Sequence, residues 1–298
     1  MTRCGYVALV GAPNAGKSTL LNQLVGAKIA IVTPKVQTTR ARVTAIAIED
    51  QSQLIFVDTP GIFKPTRRLE KAMVNAAWSG AEDADRIVLI VDAVKGITKD
   101  VERIIAGLRK YNRRAHVILN KIDILKRDSL LGLAQRLSEQ EVFDEIFMIS
   151  ALKGDGVAEL RAALAAEMPA GPWLYPEDQL ALAPMRQLAA EITREKLFLR
   201  MNQELPYSLT VETESWEERK DGSIKIQQVI YVSRANYKPM VLGKGGQTIK
   251  KIGAMAREEL EASLECRVHL FLFVKVREKW LDDPERYREM GLDFPKDD

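Results

Sequence analysis

The amino-acid sequence predicts an α/β protein in two parts, a mainly parallel sheet with helices on both faces followed by a smaller α+β domain. Three observations predict this. Short β-branched runs alternate with helical segments as far as residue 168. Residues 168–176 then contain three prolines and have no clear periodicity. Beyond them, the order of the predicted elements changes to α-β-β-α-α-β.

The composition is that of a globular protein. The chain has 298 residues, which suggests two domains at about 150 residues per domain. Hydrophobic residues make up 46% and charged residues 29%, so wholesale disorder, collagen and a disulfide scaffold are excluded. Cys4 and Cys266 lack metal-ligand spacing and predict buried thiols in a cytosolic protein. No apolar stretch approaches the ~20 residues of a membrane span, and the net charge of +3 says little about partners.

The first half of the chain has the alternation expected of a parallel sheet. Each predicted strand is a run of apolar residues followed by a turn or polar signal, and the segments between the strands have helical periodicity. The predicted strands are Tyr6–Val10, Leu54–Val57, Ile87–Val91, Val117–Leu119 and Ile146–Ile149. The predicted helices are Thr19–Val25, Leu69–Ser79, Lys99–Lys110, Leu130–Gln140 and Val157–Glu167. Such sheets bind ligands at the carboxyl ends of their strands, so we expect functional residues in those loops.

The second half is predicted to contain its own sheet and helices. Its elements are a helix at Leu180–Met201, strands at Tyr207–Trp216, Ile224–Val232 and Cys266–Val276, and two helical stretches around Gly243–Gly246. The polar Leu281–Phe294 tail predicts a short surface helix. The predicted domains are therefore residues 1–168 and 180–298, joined by a linker at residues 169–179.

A candidate phosphate-binding loop follows the first strand. Residues 11–18 read GAPNAGKS between a strand and a helix, which satisfies G-x-x-x-x-G-K-S in the context that this pattern requires. Gly11 and Gly16 allow backbone N–H groups to face phosphate oxygens, and the helix adds the positive end of its dipole. Lys17 is expected to reach the β- and γ-phosphates, and the Ser18 hydroxyl to bind Mg²⁺.

Two further motifs follow strands and indicate which nucleotide is bound. Residues 58–61 read DTPG, where Asp58 is placed to hold Mg²⁺ through water and Gly61 offers its N–H to the γ-phosphate. Residues 120–123 read NKID. The Asp123 carboxylate can accept from the ring N–H and the amine of guanine, a donor pair that adenine lacks. The order of the motifs predicts a guanine nucleotide.

Neighbouring residues are expected to complete the base site. Asn120 can bond the N7 edge of guanine, and the stem of Lys121 can cover the base plane. Residues 150–152 read SAL after the last strand of this half and offer backbone contacts to the guanine oxygen. The alternative for residues 150–152 is a plain turn at the end of a strand.

The ordered set GAPNAGKS, DTPG, NKID and SAL resembles that of the translation-factor class of GTPases with the Ras-like P-loop fold, over residues 5–167. This resemblance implies a switch segment between the first helix and the second strand, with a threonine that senses the γ-phosphate through Mg²⁺. The candidates lie in Gln37-Thr38-Thr39-Arg40, where Thr39 is favoured and Thr38 is the alternative.

The resemblance implies three overlapping sets of site residues. Roles in catalysis are expected for Lys17, Thr39 and Gly61. Roles in metal binding are expected for Ser18, Thr39 and Asp58. Contacts with the nucleotide are expected for Gly11, Ala12, Pro13, Asn14, Ala15, Gly16, Lys17, Ser18, Thr19, Asp58, Thr59, Pro60, Gly61, Ile62, Asn120, Lys121, Asp123, Ser150, Ala151 and Leu152.

One position departs from the Ras pattern. Ile62 follows DTPG, where Ras-type proteins carry the glutamine that orients the attacking water. Since an isoleucine side chain cannot hydrogen-bond a water, we expect slow intrinsic turnover. Asn14 resembles the asparagine with which some relatives bind K⁺, which can replace an arginine finger; the alternative is that Asn14 only caps the loop.

A second glycine-rich loop lies between two helical stretches. Residues 241–253 read VLGKGGQTIKKIG, and a loop that joins two helices is not expected to be a second nucleotide loop. It resembles the GXXG loop of KH domains, which grips the phosphates of about four single-stranded nucleotides. Ile249 and Ile252 are expected to pack against the sheet. For the glycines alone, the alternative is a helix cap.

The charge around this loop supports RNA binding. The stretch from Arg234 to Lys251 contains five basic residues and no acidic residue, which is an electrostatic footprint for phosphate. The candidate RNA-binding residues are Arg234, Lys238, Gly243, Lys244, Gly245, Gly246, Lys250 and Lys251.

A GTPase joined to a type II KH domain resembles the Era-type family of bacterial ribosome-assembly GTPases. Similar stretches include YPEDQL, AAEITREKLF, ELPYSLTVE and LFVKVREKW, so the resemblance covers nearly the whole chain. It implies GTP hydrolysis coupled to binding of the 3′ end of small-subunit ribosomal RNA. It also implies a role in assembly of that subunit, a monomer, and peripheral contact with the inner face of the cell membrane. The alternative is a GTPase whose second domain binds another RNA or a protein.

Overall fold

The computed structural model describes residues 1–35, 38–40, 42–182, 184–201, 205–278, 280 and 283–295. They belong to two units, each with its own sheet and core. The first unit contains the residues up to Ala30, those from Thr39 to Leu182, and the C-terminal residues from Tyr287. The second contains the described residues of 31–38 and of 183–286.

The first unit is built on a six-stranded sheet in the order β2-β3-β1-β4-β5-β6. Every neighbouring pair is parallel except β2 and β3, which are antiparallel. The strands are β1 Arg3–Gly11, β2 Val43–Glu49, β3 Ser52–Asp58, β4 Arg86–Asp92, β5 Ala115–Asn120 and β6 Phe143–Ile149. The carboxyl ends of the parallel strands meet along one edge of the sheet, which is where the sequence motifs lie.

Helices cover both faces of this sheet. They are α1 Lys17–Val25, α2 Arg68–Glu82, α3 Lys99–Lys110, α4 Arg127–Ser138 and α5 Val157–Glu167. One core forms where α1 and α5 pack on the sheet, for example through Leu20 and Leu160. The other forms under α2, α3 and α4, for example through Ala77, Ile104 and Leu133. The predicted α/β fold, with helices on both faces of a mainly parallel sheet, is confirmed.

Strand β2 was not among the predicted strands. It follows the predicted switch segment and forms a hairpin with β3, so that Val43 is opposite Asp58. The turn between them includes Asp50, whose φ of 51° is in the left-handed region that aspartate tolerates. β2 is the edge strand of the sheet and pairs within it with β3.

The residues after α5 contact the strands β2 and β3 of the first unit. Gln53 is fully buried, and its side chain binds the main chain of Leu174 and Tyr175 at 2.8–3.1 Å. Further on, the Ile46 N–H donates to the Leu180 carbonyl at 2.8 Å, so this segment pairs with the open edge of β2. Such pairing satisfies backbone groups that an edge strand otherwise leaves open.

The second unit has the predicted order of elements. They are α6 Met185–Arg200, β7 Leu209–Glu218, β8 Ile224–Val232, α7 Tyr237–Leu242, α8 Gln247–Leu264 and β9 Val268–Val276. The sheet order is β7-β8-β9, with β7 antiparallel and β9 parallel to the central strand. Val241 and Ile252 are fully buried in its core and Ile249 packs against it, as the helical spacing predicts. The predicted α+β second domain is confirmed.

The C-terminal tail is more buried than its polar sequence suggests. It contains the short helix α9, Pro284–Glu289, but Tyr287 and Leu292 are 1% and 3% exposed. The Tyr287 ring packs edge-on against Phe294, and the guanidinium of Arg68 lies over the Phe294 ring. None of the helices in the described part of the chain is both long and apolar enough to cross a membrane.

Candidate nucleotide and nucleic-acid sites

The phosphate loop lies between the carboxyl end of β1 and the first turn of α1. Gly16, which immediately precedes α1, has a φ of 100°, a conformation that favours glycine. A Cβ at this position would lie 2.2 Å from the side-chain nitrogen of Asn120. Glycine is therefore required both by the backbone and by the close approach of the NKID motif.

Lys17 is almost completely buried inside this loop. Its Nζ atom donates to the carbonyls of Gly11 and Ala12, each at 3.2 Å. Burial lowers the pKa of Lys17, and the nearby Asp58 carboxylate opposes that shift. The loop thus keeps the lysine side chain folded back over its own backbone, where phosphate oxygens are expected.

Ser18, Thr39 and Asp58 come together beside the loop. The Ser18 hydroxyl donates to Asp58 Oδ2 at 2.8 Å, and the Thr39 hydroxyl is 2.9 Å from that of Ser18 and 3.2 Å from the same carboxylate oxygen. Asp58 is fully buried, and burial raises its pKa although Lys17 and the two hydroxyls oppose this. Among the described residues, Asp58 Oδ1 has no hydrogen-bond partner. Three hard oxygen ligands and an unsatisfied carboxylate oxygen fit Mg²⁺.

The alternative threonine lies in a different environment. The Thr38 hydroxyl is 2.7 Å from that of Thr33 and donates to the Lys35 carbonyl at 2.8 Å, so it does not join Ser18 and Asp58. Gln37, which belongs to the same candidate stretch, lies outside the described residues. Thr39 is therefore the threonine of this stretch that the structure brings to the candidate metal-binding residues Ser18 and Asp58.

The base-recognition motif is tied to the phosphate loop. The Asn120 side chain donates to the Ala15 carbonyl at 2.9 Å and accepts from the Ala151 N–H at 2.9 Å. The Ser150 hydroxyl donates to Asp123 Oδ1 at 2.7 Å and holds that carboxylate in place. Asn120 thus serves as a brace between loops, a role that the sequence did not predict, whereas the Leu152 side chain is exposed.

Lys121 takes part in a contact that sequence reasoning missed. It has a φ of 71°, and its Nζ atom donates to the Asn14 carbonyl at 3.0 Å and pairs with Asp92 Oδ2 at 2.6 Å. Asp92 ends β4 and is 7% exposed. The position of Asp92 directly after a predicted strand could have indicated that it belongs to the site, because the other site residues also follow strands.

Two residues of the candidate set point away from the nucleotide position. The Ile62 side chain is fully buried in the core under α2, α3 and α4, and its N–H donates to the Gly11 carbonyl at 3.0 Å. The Thr59 hydroxyl donates to the Leu9 carbonyl at 2.9 Å. Gly61 lies close to Pro13, because a Cβ on Gly61 would be 3.1 Å from the Pro13 nitrogen. The DTPG segment therefore closes against the phosphate loop through its backbone.

The second glycine loop connects α7 to α8. Gly243, Gly245 and Gly246 all have positive φ values, of 74°, 58° and 74°. Among the described residues no side chain caps the first turn of α8, and the Gln247 N–H donates to the Lys244 carbonyl of the loop. Backbone donors at the start of an 18-residue helix, next to glycines that allow close approach, suit a phosphate backbone.

The basic side chains predicted to accompany this loop are exposed. The Arg234 guanidinium lies 6.0 Å from the centre of the Tyr237 ring. The exposed basic residues of the stretch are Arg234, Lys238, Lys244, Lys250 and Lys251. Their charged groups are thus available to solvent and to an anionic partner.

Comparisons with known proteins match both units. The family described as 50S ribosome-binding GTPase matches residues 6–121, and the KH domain family matches residues 204–281. GTPase Era of Sinorhizobium medicae is 60% identical over 295 residues, which is 99% of this chain and 95% of that protein. GTPase Era of Bradyrhizobium diazoefficiens is 58% identical over 296 residues, covering 99% of this chain and 96% of that protein.

Two solved structures are similar over almost the whole chain. A variant of Aquifex aeolicus Era bound to GDP and AlF4⁻ is 40% identical, with a TM-score of 0.92, and covers 97% of this chain and 99% of its own. The structure of Era in complex with MgGDPNP and nucleotides 1506–1542 of 16S ribosomal RNA has the same identity and TM-score. It covers 98% of this chain and 99% of its own.

Proposed function

This chain belongs to the Era family of GTPases, and we propose that it couples its nucleotide state to binding of the 3′ end of small-subunit ribosomal RNA. Its task in this proposal is assembly and maturation of the small ribosomal subunit. The single observation that carries the RNA half is the glycine loop at the start of α8, with exposed basic residues around it. The solved Era complex with a fragment of 16S ribosomal RNA supports it.

The nucleotide site is proposed to hold Mg²⁺·GTP for attack by water on the γ-phosphorus. The bond from that phosphorus to the bridging oxygen breaks, giving GDP and phosphate. Ser18, Thr39 and Asp58 are the residues that would hold Mg²⁺, which when bound would supply positive charge to the phosphates. Lys17 contributes a second positive charge, and the Gly61 N–H hydrogen-bonds the γ-phosphate as its charge increases.

Slow intrinsic turnover is part of the proposal. The Ile62 side chain is buried in the core, so it neither orients nor polarises the attacking water. The water is then positioned by backbone groups, another residue or a partner. A single-turnover measurement of the purified protein checks this, and a rate equal to that of a GTPase stimulated by its activator would contradict it.

We also propose that Asn14 binds K⁺ beside the phosphates. Asn14 has a φ of 63° and lies in the phosphate loop, with its carbonyl held by Lys121. A cation there would supply the charge that an arginine finger supplies in other GTPases. Hydrolysis should be faster in potassium than in sodium buffer, and Asn14→Ala should abolish that difference. Equal wild-type rates in the two salts would exclude the K⁺ site.

The RNA proposal is tested by GTP turnover and binding with an oligonucleotide of the small-subunit rRNA 3′ end. We expect the oligonucleotide to bind and to raise the turnover rate. Gly245→Asp is the control, because the new carboxylate repels phosphate while a Cβ at this position has nothing within 4 Å. Aspartate also tolerates the positive φ of this residue. Wild-type turnover that does not respond, together with no binding, would favour another RNA or a protein as the partner.

The proposal also covers the oligomeric state, the location in the cell and membrane contact, which rest on the family resemblance. We propose a monomer that acts in the cytoplasm and makes peripheral contact with the inner face of the cell membrane. Sedimentation of the purified chain tests the monomer. Co-sedimentation with vesicles of bacterial lipid tests the membrane contact. If the protein stays in the supernatant at low salt, the proposed membrane contact is wrong.

A further inference from the structure

One buried carboxylate of the first unit lies at the nucleotide site but belongs to none of the sequence motifs. Asp92 is the last residue of β4, which reads RIVLIVD, and it is buried like the apolar residues before it. A buried carboxylate is costly unless it is paired or hydrogen-bonded. The contacts of Asp92 should therefore explain why a charged residue ends this strand.

The two oxygens of the Asp92 carboxylate have different partners. Oδ1 accepts from the Val94 N–H at 3.0 Å, which is a contact within the loop after β4. Oδ2 pairs with Lys121 Nζ at 2.6 Å, and the same Nζ atom donates to the Asn14 carbonyl at 3.0 Å. The Lys121 ammonium group is therefore held between Asp92 and the phosphate loop.

The backbone of Lys121 also has a conformation that needs support. Its φ of 71° and ψ of 34° are left-handed, which is unfavourable for a residue with a Cβ. Such conformations persist where the surrounding contacts hold them. Lys121 directly precedes the short 3-10 helix Ile122–Ile124, which contains Asp123. The direction in which Asp123 leaves the strand thus depends on the conformation of Lys121.

We propose that Asp92 is a positioning residue for the guanine base. By pairing with the ammonium group, it keeps the stem of Lys121 where it can cover the base plane, and it supports the turn that carries Asp123. The inference rests on the proposed function of the nucleotide site. Loss of the pair should speed the release of GDP and GTP equally, because the two nucleotides carry the same base. Hydrolysis of bound GTP should keep its rate, because the base is not the part that reacts.

The test uses Asp92→Asn in the full chain. Asparagine keeps an oxygen that can accept from the Val94 N–H, but it places an amide donor where the carboxylate pairs with the Lys121 ammonium group. Stopped-flow fluorescence measures the release of fluorescent GDP and of a fluorescent non-hydrolysable GTP analogue in Mg²⁺. We expect release of both to be about tenfold faster, the effect of one hydrogen bond to a charged group. Single-turnover hydrolysis, with protein in excess over GTP, should keep the wild-type rate.

A double-mutant cycle separates positioning from general stability. Lys121→Met removes the ammonium group and keeps an apolar stem. If Asp92 acts through Lys121, adding Asp92→Asn to Lys121→Met should not speed release further. Asp144→Asn is the matched control, because it removes an exposed carboxylate that pairs with Arg114, and it should release nucleotide at the wild-type rate. Asp92→Ser, whose hydroxyl can accept from the loop N–H, provides the measurement if Asp92→Asn does not fold.

The outcomes distinguish this inference from the proposed function. If the wild-type chain does not bind fluorescent GDP, the proposed nucleotide site is wrong. If it binds GDP, but folded Asp92→Asn releases nucleotide at the wild-type rate, the positioning role is wrong and the nucleotide site remains. The same conclusion follows if Asp92→Asn speeds release equally with and without the Lys121 ammonium group, or if it slows hydrolysis of bound GTP.

Discussion

At the base end of the nucleotide site, a single carboxylate is proposed to select guanine. The Ser150 hydroxyl donates to Asp123 Oδ1 at 2.7 Å, and Lys153 Nζ lies 3.9 Å from Asp123 Oδ2, so each oxygen of the carboxylate has a polar neighbour. Asp123→Asn replaces an acceptor by a donor, so it should weaken GTP binding at least tenfold and favour a xanthine nucleotide, whose ring presents the complementary groups.

Competition between fluorescent GDP and unlabelled GTP or XTP measures this change of specificity. Asp128→Asn is the matched control, because Asp128 is an exposed aspartate in the first turn of α4. Equal losses for the two variants, or unchanged GTP affinity in Asp123→Asn, would show that Asp123 does not read the base.

A second residue-scale prediction concerns Glu167, at the end of α5. Burial opposes ionisation, but the hydrogen bonds from His116 at 2.9 Å and Arg86 at 2.5 Å lower the pKa of Glu167 below its ordinary value of 4.5. The Glu145 carboxylate lies within 4.8 Å of this group. A lowered carboxyl pKa stabilises the fold above the unfolded-state pKa, and this stability is lost as the pH falls through the folded-state value.

Glu167→Gln should therefore lower the melting temperature at about pH 5.5 and have a smaller effect at about pH 3, because the stabilisation is lost as the pH falls through the lowered pKa of Glu167. Thermal unfolding at the two pH values checks this. Glu159→Gln on the exposed first turn of α5 should have little effect at either pH. A difference that grows towards low pH would contradict the assigned shift.

At the scale of elements, the α7–α8 loop separates two uses of glycine. Gly243 and Gly246 both have a φ of 74°, but ψ is 174° at Gly243 and 10° at Gly246. An alanine costs about 1–2 kcal/mol in the left-handed conformation of Gly246, and the conformation of Gly243 is essentially restricted to glycine. Only at Gly243 would the Cβ also clash, at 2.0 Å from the Thr248 hydroxyl oxygen. Gly243→Ala should therefore destabilise the chain by at least 1 kcal/mol more than Gly246→Ala.

Denaturant unfolding without RNA measures that difference in stability, and Gly246→Ala is the control for a Cβ that meets no neighbouring atom. If the two variants are equally stable, the loop relaxes enough to accept a Cβ at Gly243. Such a loop would not need a glycine there for its own structure.

The elements also show where sequence patterns were sufficient and where they were not. The five parallel strands were predictable because buried strands are continuous apolar runs, such as Ile87–Val91. Val43–Glu49 reads VTAIAIE and was missed, because alanines, which strands disfavour, interrupt its β-branched residues. Its pairing with residues 180–182 could not be predicted, since nothing local specifies an edge partner so distant in sequence.

The site was predictable to a similar depth. GAPNAGKS, DTPG and NKID each place a known chemistry at the end of a strand, so their residues could be named from spacing. Asp92 carries no motif, and its contact with Lys121 depends on which segments pack together.

At the scale of the whole molecule, the half of the chain that contains the proposed RNA-binding loop is the half with a net negative charge. Residues 1–170 carry 24 basic and 19 acidic residues, a difference of +5, whereas residues 171–298 carry 20 and 22, a difference of −2. The proposed RNA-binding unit thus lies in the acidic half. The five exposed basic residues around the glycine loop must supply the attraction locally.

This arrangement predicts how RNA affinity depends on salt. For single-stranded nucleic acid, each phosphate that the protein neutralises contributes about −0.7 to the slope of log affinity against log salt concentration. A KH loop holds about four nucleotides. We therefore expect a slope near −3, which Lys244→Ala should make shallower by about 0.7.

Lys225→Ala, which removes a lysine paired with Glu217 on the sheet, should leave the slope unchanged. Filter binding of the rRNA 3′-end oligonucleotide between about 50 and 300 mM salt measures all three slopes. If Lys225→Ala and Lys244→Ala changed the slope equally, overall charge would control binding, and the position of the basic residues around the loop would not matter.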